Sequence, residues 1–242
     1  MAGIRERLGL EDPFASYVHD PGRADRQGWN SSHPFLEAAL REVEPRLVIE
    51  LGVWKGMSAI HMGGLLQRQG NGAEILAIDT WLGSAGHLAA AGRRAELAPV
   101  DGYPTLYRTF LANVFEAGLQ QAIVPLPMDG HSAARALAAL GVTAGVIHVD
   151  ASHDHAACLS DLRGYWPLLE PEGILVADDY GTWPGVTRAV CEFAAEVGRP
   201  VFGSMGKALL PKAEGLGFEL KVARARRRRG AAMPHRRPAG AG

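Results

Sequence analysis

Three carboxylates stand at the ends of two apolar runs in the carboxyl-terminal half of the chain. Asp150 closes GVIHVD, and Asp178 and Asp179 close GILVADD. If the two runs are adjacent parallel strands, the three acids leave one sheet edge side by side. Carboxylates stacked in a cleft repel one another unless a cation neutralises them. Hard oxygen ligands of this kind suit Mg2+ or another divalent ion that keeps positions open for water and substrate. The bland alternative is that Asp178-Asp179 only caps the following loop; Asp150 at a second strand end weighs against it. His153 would lie beside such an ion. An imidazole titrates near neutrality, so it can take a proton from a metal-bound hydroxyl. Asp154 and His155 read instead as supporting contacts at a helix start.

A second group lies far upstream. Glu50-Leu-Gly52-Val-Trp-Lys-Gly56 ends an apolar run and opens a helical pattern. Gly52 allows a tight turn, and Gly56 allows a ligand to approach the free N–H groups of the helix start. A dinucleotide fingerprint would place a neutral turn here, open to a pyrophosphate. Glu50 is an anion that repels pyrophosphate and can pair with an ammonium. The motif therefore favours S-adenosylmethionine over a nicotinamide dinucleotide. Asp79 ends the next run and is placed to accept hydrogen bonds from ribose hydroxyls. Asp129, with Ser132 nearby, either meets an adenine amine or caps the Ala-rich helix that follows.

Elements of one kind would bring both groups together. Apolar runs at 46–51, 74–79, 122–127, 145–150 and 173–177 alternate with helical patterns at 57–68, 132–140, 154–165 and 184–197. Strands this apolar are buried on both faces, as parallel strands under helices must be. The alternation predicts βαβ units and a doubly wound, mostly parallel α/β sheet. Two short runs at 200–203 and 207–211, joined by Ser204-Met205-Gly206, predict an antiparallel hairpin. Residues 1–45 are expected to form a helical cap. Residues 80–105 are too long for an ordinary connection and read as a lid.

Composition is consistent with one α/β domain. The chain has 242 residues, with 47% apolar and 21% charged side chains, as in ordinary globular proteins. The formal net charge is -1, which indicates no bias toward nucleic acid or membrane. Seven arginines crowd 224–237 without an acid, so the rest of the chain is net acidic. The tail, 223–242, has the composition of a disordered segment. Cys158 and Cys191 lie outside any C-x-x-C pattern and read as buried thiols. No apolar run approaches the roughly 20 residues that span a bilayer. With no evident leader, a cytoplasmic protein is expected.

With these residues in view, the sequence resembles the metal-dependent class I O-methyltransferases. That group includes catechol O-methyltransferase and, closer here, macrocin O-methyltransferase-like enzymes; cephalosporin hydroxylase-like proteins share the pattern. The resemblance rests on residues 28–33, VIELGVWKGMSAI, AIDTWLGSAGH, HVDASHDHAACLSDLRGYWPLLEPEGILVADDY and WPGVTRAV, which span most of 27–195. The spacing from Asp150 to Asp178 matches the family's metal-ligand spacing. The resemblance implies a Rossmann-like class I methyltransferase domain over 46–222, ending in an antiparallel strand. It implies Glu50, Gly52 and Gly56 on the methyl-donor loop, Asp79 on the ribose, and Asp150, Asp178 and Asp179 as magnesium ligands. Asp150 or His153 falls where the family places its base. By the same analogy the chain is a homo-oligomer that methylates a small-molecule hydroxyl, on a sugar or a diol or phenolic natural product.

The lid would contribute Trp81, His87, Tyr103 and Tyr107 to an acceptor site, with Tyr180 and Trp183 walling it from the other side. Core packing is the competing reading for each aromatic. Three other functions compete. A hydroxylase-like member of the fold would need a redox metal with imidazole ligands, and only His153 and His155 lie near the acids. A nucleic-acid methyltransferase could use the Arg-rich tail as a phosphate-binding arm, but the body shows no basic aromatic surface. A non-catalytic binding domain would not need the three aspartates.

Overall fold

The structure, a computed structural model, describes residues 2–204 and 206–214. The Arg-rich tail, and Met205 at the expected hairpin turn, lie outside the described residues. The strands are β1 (Leu47–Leu51), β2 (Glu74–Asp79), β3 (Ile123–Pro127), β4 (Ala144–Val149), β5 (Leu169–Tyr180), β6 (Phe202–Ser204) and β7 (Gly206–Pro211). They form one sheet in the order β3-β2-β1-β4-β5-β7-β6. β1 to β5 pair in parallel, and β7 runs antiparallel to both β5 and β6. The doubly wound sheet and its closing hairpin are both as expected.

Nine helices accompany these strands among the described residues: α1 (Ile4–Arg7), α2 (Pro34–Val43), α3 (Met57–Gln69), α4 (Ala85–Ala89), α5 (Ala91–Arg94), α6 (Leu106–Glu116), α7 (Gly130–Ala139), α8 (His155–Tyr165) and α9 (Pro184–Val197). Successive strand side chains point to opposite faces, so each apolar strand feeds two cores. Ile49, Leu51, Ile78, Ile147, Val149 and Leu175 pack with residues of α7, α8 and α9. Val48, Ile75, Ala77, Val146, Val176 and Leu209 pack with residues of α2, α3 and α6. Burying one such side chain contributes roughly 1.5–3 kcal/mol, and this two-sided burial fixes the strand register. The rigid sheet then sets where the acids at the strand ends stand.

Two segments lie over those ends. Between α1 and α2 the chain is irregular, with turns and a 3-10 turn at Pro21–Arg23. It crosses α6, where His19 stacks on Phe115 at 4.8 Å, and reaches the carboxyl edge of the sheet as a strap, residues 24–33. The expected lid holds α4, α5 and a 3-10 turn at Ala95–Leu97. Cys158 is buried as expected, but Cys191 lies exposed on α9, which corrects its reading as a buried thiol. Among the described residues no helix is long and apolar enough to cross a membrane.

Candidate active site

A cavity of about 1010 Å³ opens at the carboxyl ends of β1, β2, β4 and β5. Ligands of open α/β sheets bind in such a crevice, where strand order reverses. Here the reversal lies between β1 and β4.

The donor loop forms one wall. Gly52 takes φ +79°, and a Cβ there would meet the Asp150 carbonyl oxygen at 2.0 Å. Only glycine lets β1 turn this close to the end of β4. Asp79 organises the rest of the loop. Its Oδ2 accepts from the N–H groups of Val53 and Trp54 at 2.8 and 2.9 Å, and its Oδ1 from Trp81 at 2.8 Å. Gly52, Val53, Trp54, Met57, Ser58 and Asp79 all line the cavity. The His87 ring stacks on Trp54 at 4.9 Å and ties the lid to this wall.

Three donor-side expectations need correction. Glu50 is fully buried and is not on the cavity wall. Its Oε1 accepts from the Ser58 hydroxyl and contacts His148 Nδ1 at 2.9 Å. Burial pushes its carboxyl up to about 8. Ser58 stands between it and the cavity. Gly56 makes room for a core ring rather than a ligand: a Cβ there would meet Phe110 at 2.8 Å. Ser132 is exposed and off the cavity wall. Its N–H donates to Asp129 at 2.9 Å, so Asp129 caps α7. Asp129 still borders the cavity, and the two readings of that residue are compatible.

The acid end departs from a simple triad. Asp178 lies opposite Lys207 in the β5–β7 register. Lys207, with no exposed surface, forms an ion pair with Asp178 and donates to His148 Nε2 at 3.1 Å. Because Nε2 accepts, Nδ1 of His148 carries the proton offered to Glu50. Burial, then the Lys207 charge, pushes His148 down to about 3. Glu50 and His148 are thus a buried hydrogen-bonded pair.

Asp179 goes the other way. Consecutive strand residues point to opposite faces, but the β5–β7 register shifts between Asp178 and Tyr180, and Asp179 takes φ +59°. This irregularity aims its carboxylate into the cavity, where Oδ2 meets His153 Nε2 at 2.8 Å. The His153 ring stacks on Trp183 at 4.6 Å, nearly parallel. Burial and the neighbouring Asp178 push the Asp150 carboxyl well above the usual carboxylate range. Asp150 therefore belongs to two overlapping groups with ligand atoms within 4.8 Å of one another: with His148 and Asp178, and with His153 and Asp179. The three expected aspartates thus stand together around Asp150, divided between two overlapping groups that each include a histidine. Lys207, to which sequence reading assigned no role, already serves Asp178 as its cation.

The remaining expected residues divide. His87 and Trp183 line the cavity. Trp81 is a core residue, 2% exposed, packed on Tyr107 and Phe110, with its ring N–H given to the Trp54 carbonyl. Tyr107 is half-buried against the same core, and burial pushes its phenol up to about 12. Tyr103 is exposed beyond the cavity, and Tyr180 packs beside α9. Asp154 caps α8 through the Ala157 N–H, and His155 bonds Glu192 on α9 at 2.8 Å. The strap residues Gln27, Trp29, Asn30 and Ser31 also line the cavity. Sequence reading assigned them no role; the short polar run around an isolated tryptophan was the available signal.

This sheet, with its donor loop at the reversal and its acids at the β4 and β5 ends, defines a class I methyltransferase fold. A family model described as a methyltransferase domain matches residues 49–180, and the chain belongs to that family. Solved structures agree on the fold. The O-methyltransferase NovP is 19% identical, with 87% of this chain and 96% of that chain covered and a TM-score of 0.56. CalS11, a TDP-rhamnose 3'-O-methyltransferase of calicheamicin biosynthesis, is 21% identical over 73% and 77%, with a TM-score of 0.51. TomG of Streptomyces achromogenes, an O-methyltransferase solved with S-adenosylmethionine, is 14% identical over 87% and 86%, with a TM-score of 0.54. Among curated proteins no relative matches.

Proposed function

We propose that the protein transfers a methyl group from S-adenosylmethionine to a hydroxyl of a small, uncharged, ring-bearing molecule, a phenol or diol of natural-product type. One observation carries this reading. The His153–Asp179 pair, at 2.8 Å, faces the same cavity as the donor loop and Asp79. S-adenosylmethionine, when bound, supplies the electrophilic methyl. The cavity is at the upper end of the volumes usual for one small ligand, which suits two reactants side by side.

The residues fit both halves of that reaction. Asp79 is held by three N–H groups and turned to the cavity, where its remaining lone pairs suit ribose hydroxyls. α3 has no side-chain cap, and Met57 and Ser58 in its first turn face the cavity. Its open N–H groups suit the carboxylate of a methionine moiety. At the other end Asp179 accepts a hydrogen bond from the Nε2–H of His153, which leaves Nδ1 free to accept the acceptor's hydroxyl proton. Trp183 holds the ring in plane. Aligning two bound reactants can lower the barrier by about 7–11 kcal/mol.

A divalent cation, Mg2+ by preference, also fits. Asp150 and Asp179 offer oxygens beside His153 within 4.8 Å of one another, and a cation there would offset the crowding that raises Asp150. Such an ion would polarise the acceptor oxygen. Asp150 and Asp179 would hold it, and Asp178 would stay with Lys207.

Calorimetric titration with S-adenosylhomocysteine, with and without Mg2+, tests the proposal. Micromolar binding, followed by Mg2+ uptake lost in Asp179→Asn, is the expected result. No binding of S-adenosylhomocysteine would overturn it. Binding without metal uptake would leave the methyl transfer to the His153–Asp179 pair alone.

A further inference from the structure

Lys55 is a buried cation that the proposed chemistry does not use. It lies in the donor loop and is 4% exposed. Its Nζ reaches Asp25 Oδ2 and Gln27 Oε1, each at 2.5 Å. The backbone of the same turn is fixed by Asn113 of α6, which has no exposed surface. Asn113 Oδ1 accepts from the Asp25 N–H at 2.9 Å, and its Nδ2 donates to the Asp25 and Lys55 carbonyls at 2.8 Å. The Asp25 carboxyl, held chiefly by its hydrogen bond from Lys55, lies below the usual range.

These contacts join what sequence separates. Trp54 binds Asp79 through its N–H and stacks on the lid at His87. Lys55, the next residue, binds the strap. Two residues beyond Asp25 the strap becomes cavity wall, at Gln27, Gly28, Trp29, Asn30 and Ser31. Trp29 is 62% exposed there, a large apolar ring held at the cavity edge with room for a ligand to cover it. A buried ammonium left without its partners is costly, so Lys55 favours the seated strap over any released state.

We infer that Lys55 is a positioning residue, a latch that seats the strap over the cavity so that Trp29 closes on bound donor. The inference rests on the donor site proposed above. Lys55 touches neither reactant and acts through Asp25 and Gln27.

The test compares wild type with Asp25→Ala, Lys55→Met and Lys55→Arg. Affinity for S-adenosylhomocysteine is measured by calorimetry. Strap release is measured as the rate of tryptic cleavage after Arg26, with and without that ligand. In wild type the ligand should slow cleavage. Asp25→Ala and Lys55→Met should bind it at least tenfold more weakly and be cut at least tenfold faster, with unchanged far-ultraviolet dichroism. Lys55→Arg should restore part of both. A second readout is Trp29 emission, isolated by subtraction of Trp29→Phe, which should respond to ligand in wild type and not in Asp25→Ala. If Lys55→Met fails to fold, Asp25→Ala still decides, because that side chain is half exposed. Unchanged affinity and cleavage in Asp25→Ala would overturn the latch. Absence of binding in wild type would instead overturn the donor site itself.

Discussion

An imidazole that is to accept a proton needs its tautomer fixed, and in the proposed reaction Asp179 would do this for His153. Asp179 Oδ2 lies 2.8 Å from His153 Nε2, and Trp183 stacks on the ring face. In that reaction His153→Ala would remove the base, and Asp179→Asn would free the tautomer. General-base catalysis contributes about 10²–10⁴-fold. Each variant should therefore lose turnover of the acceptor by about that range, while affinity for S-adenosylhomocysteine changes less than about twofold. A parallel loss of ligand affinity would show that the pair shapes the donor site instead. Lys207 poses a stability question. Its ion pair with Asp178 is nearly free of solvent, and removing one partner of a buried pair typically costs about 3–5 kcal/mol. Lys207→Met should lower urea stability by about that amount, and adding Asp178→Asn should recover most of it. A Lys207→Met protein as stable as wild type would mean that Asp178 takes up a proton or water at little cost.

Elements decide which of these residues meet. β2 and α9 read from sequence with the boundaries they have, and β1, β3, β4, α3, α7 and α8 differ by one or two residues at their ends, whereas the sequence reading sets no bounds for α2 and α6. Their signal is local: apolar runs between glycine turns, and helical periodicity closed by a cap. What did not read is what depends on pairing between strands. Lys207 drew no role from the sequence because its partner appears only when β7 is laid antiparallel against β5, where its position falls opposite Asp178. The doublet Asp178-Asp179 looks like one ligand pair, but although both acids line the cavity, Asp178 pairs with Lys207 and Asp179 with His153. β5 itself begins at Leu169, earlier than the apolar run suggests, because Glu170, Pro171 and Glu172 mask its first turn of pairing. Two predictions belong to this scale. Gly52→Ala forces a Cβ into the Asp150 backbone and a side chain into left-handed φ. It should cost at least about 1–3 kcal/mol and weaken donor binding in proportion; an unchanged melting temperature would contradict the tight turn. On α8, burial pushes the Asp161 carboxyl up to about 6. A raised acid binds more protons in the folded state, so this stability is fully present below about pH 4 and is lost as pH rises through 6. Asp161→Asn should therefore stabilise the protein at pH 8 by up to about 3 kcal/mol and have little effect at pH 4. A gain of equal size at both pH values would point to packing or helix propensity rather than to the charge.

At the scale of the molecule, charge and aromatic surface around one cavity separate two kinds of acceptor. The wall carries Asp79, Asp129, Asp150, Asp178 and Asp179, and Arg93 on α5 is its sole lysine or arginine among the described residues. A nucleotide-activated sugar, the substrate class of CalS11, brings a diphosphate that needs paired cations or open helix N-termini. The first turn of α3 offers one such terminus, and the donor's carboxylate would occupy it. Meanwhile two exposed tryptophans, Trp29 and Trp183, border the cavity, and Leu82, Leu88, Val100 and Tyr103 leave further apolar surface on the lid. Apolar surface gathered around an opening marks a binding site, and aromatic walls suit a planar ring. A neutral catechol or polyphenol should therefore quench tryptophan emission of the S-adenosylhomocysteine complex, and should do so at least tenfold more weakly in Trp183→Ala. A TDP-sugar should compete poorly, even at low ionic strength where any attraction to Arg93 is strongest. If the TDP-sugar binds tightly and Arg93→Ala abolishes it, the acceptor is the activated sugar, and the lone cation on the lid matters more than the five acids opposite it.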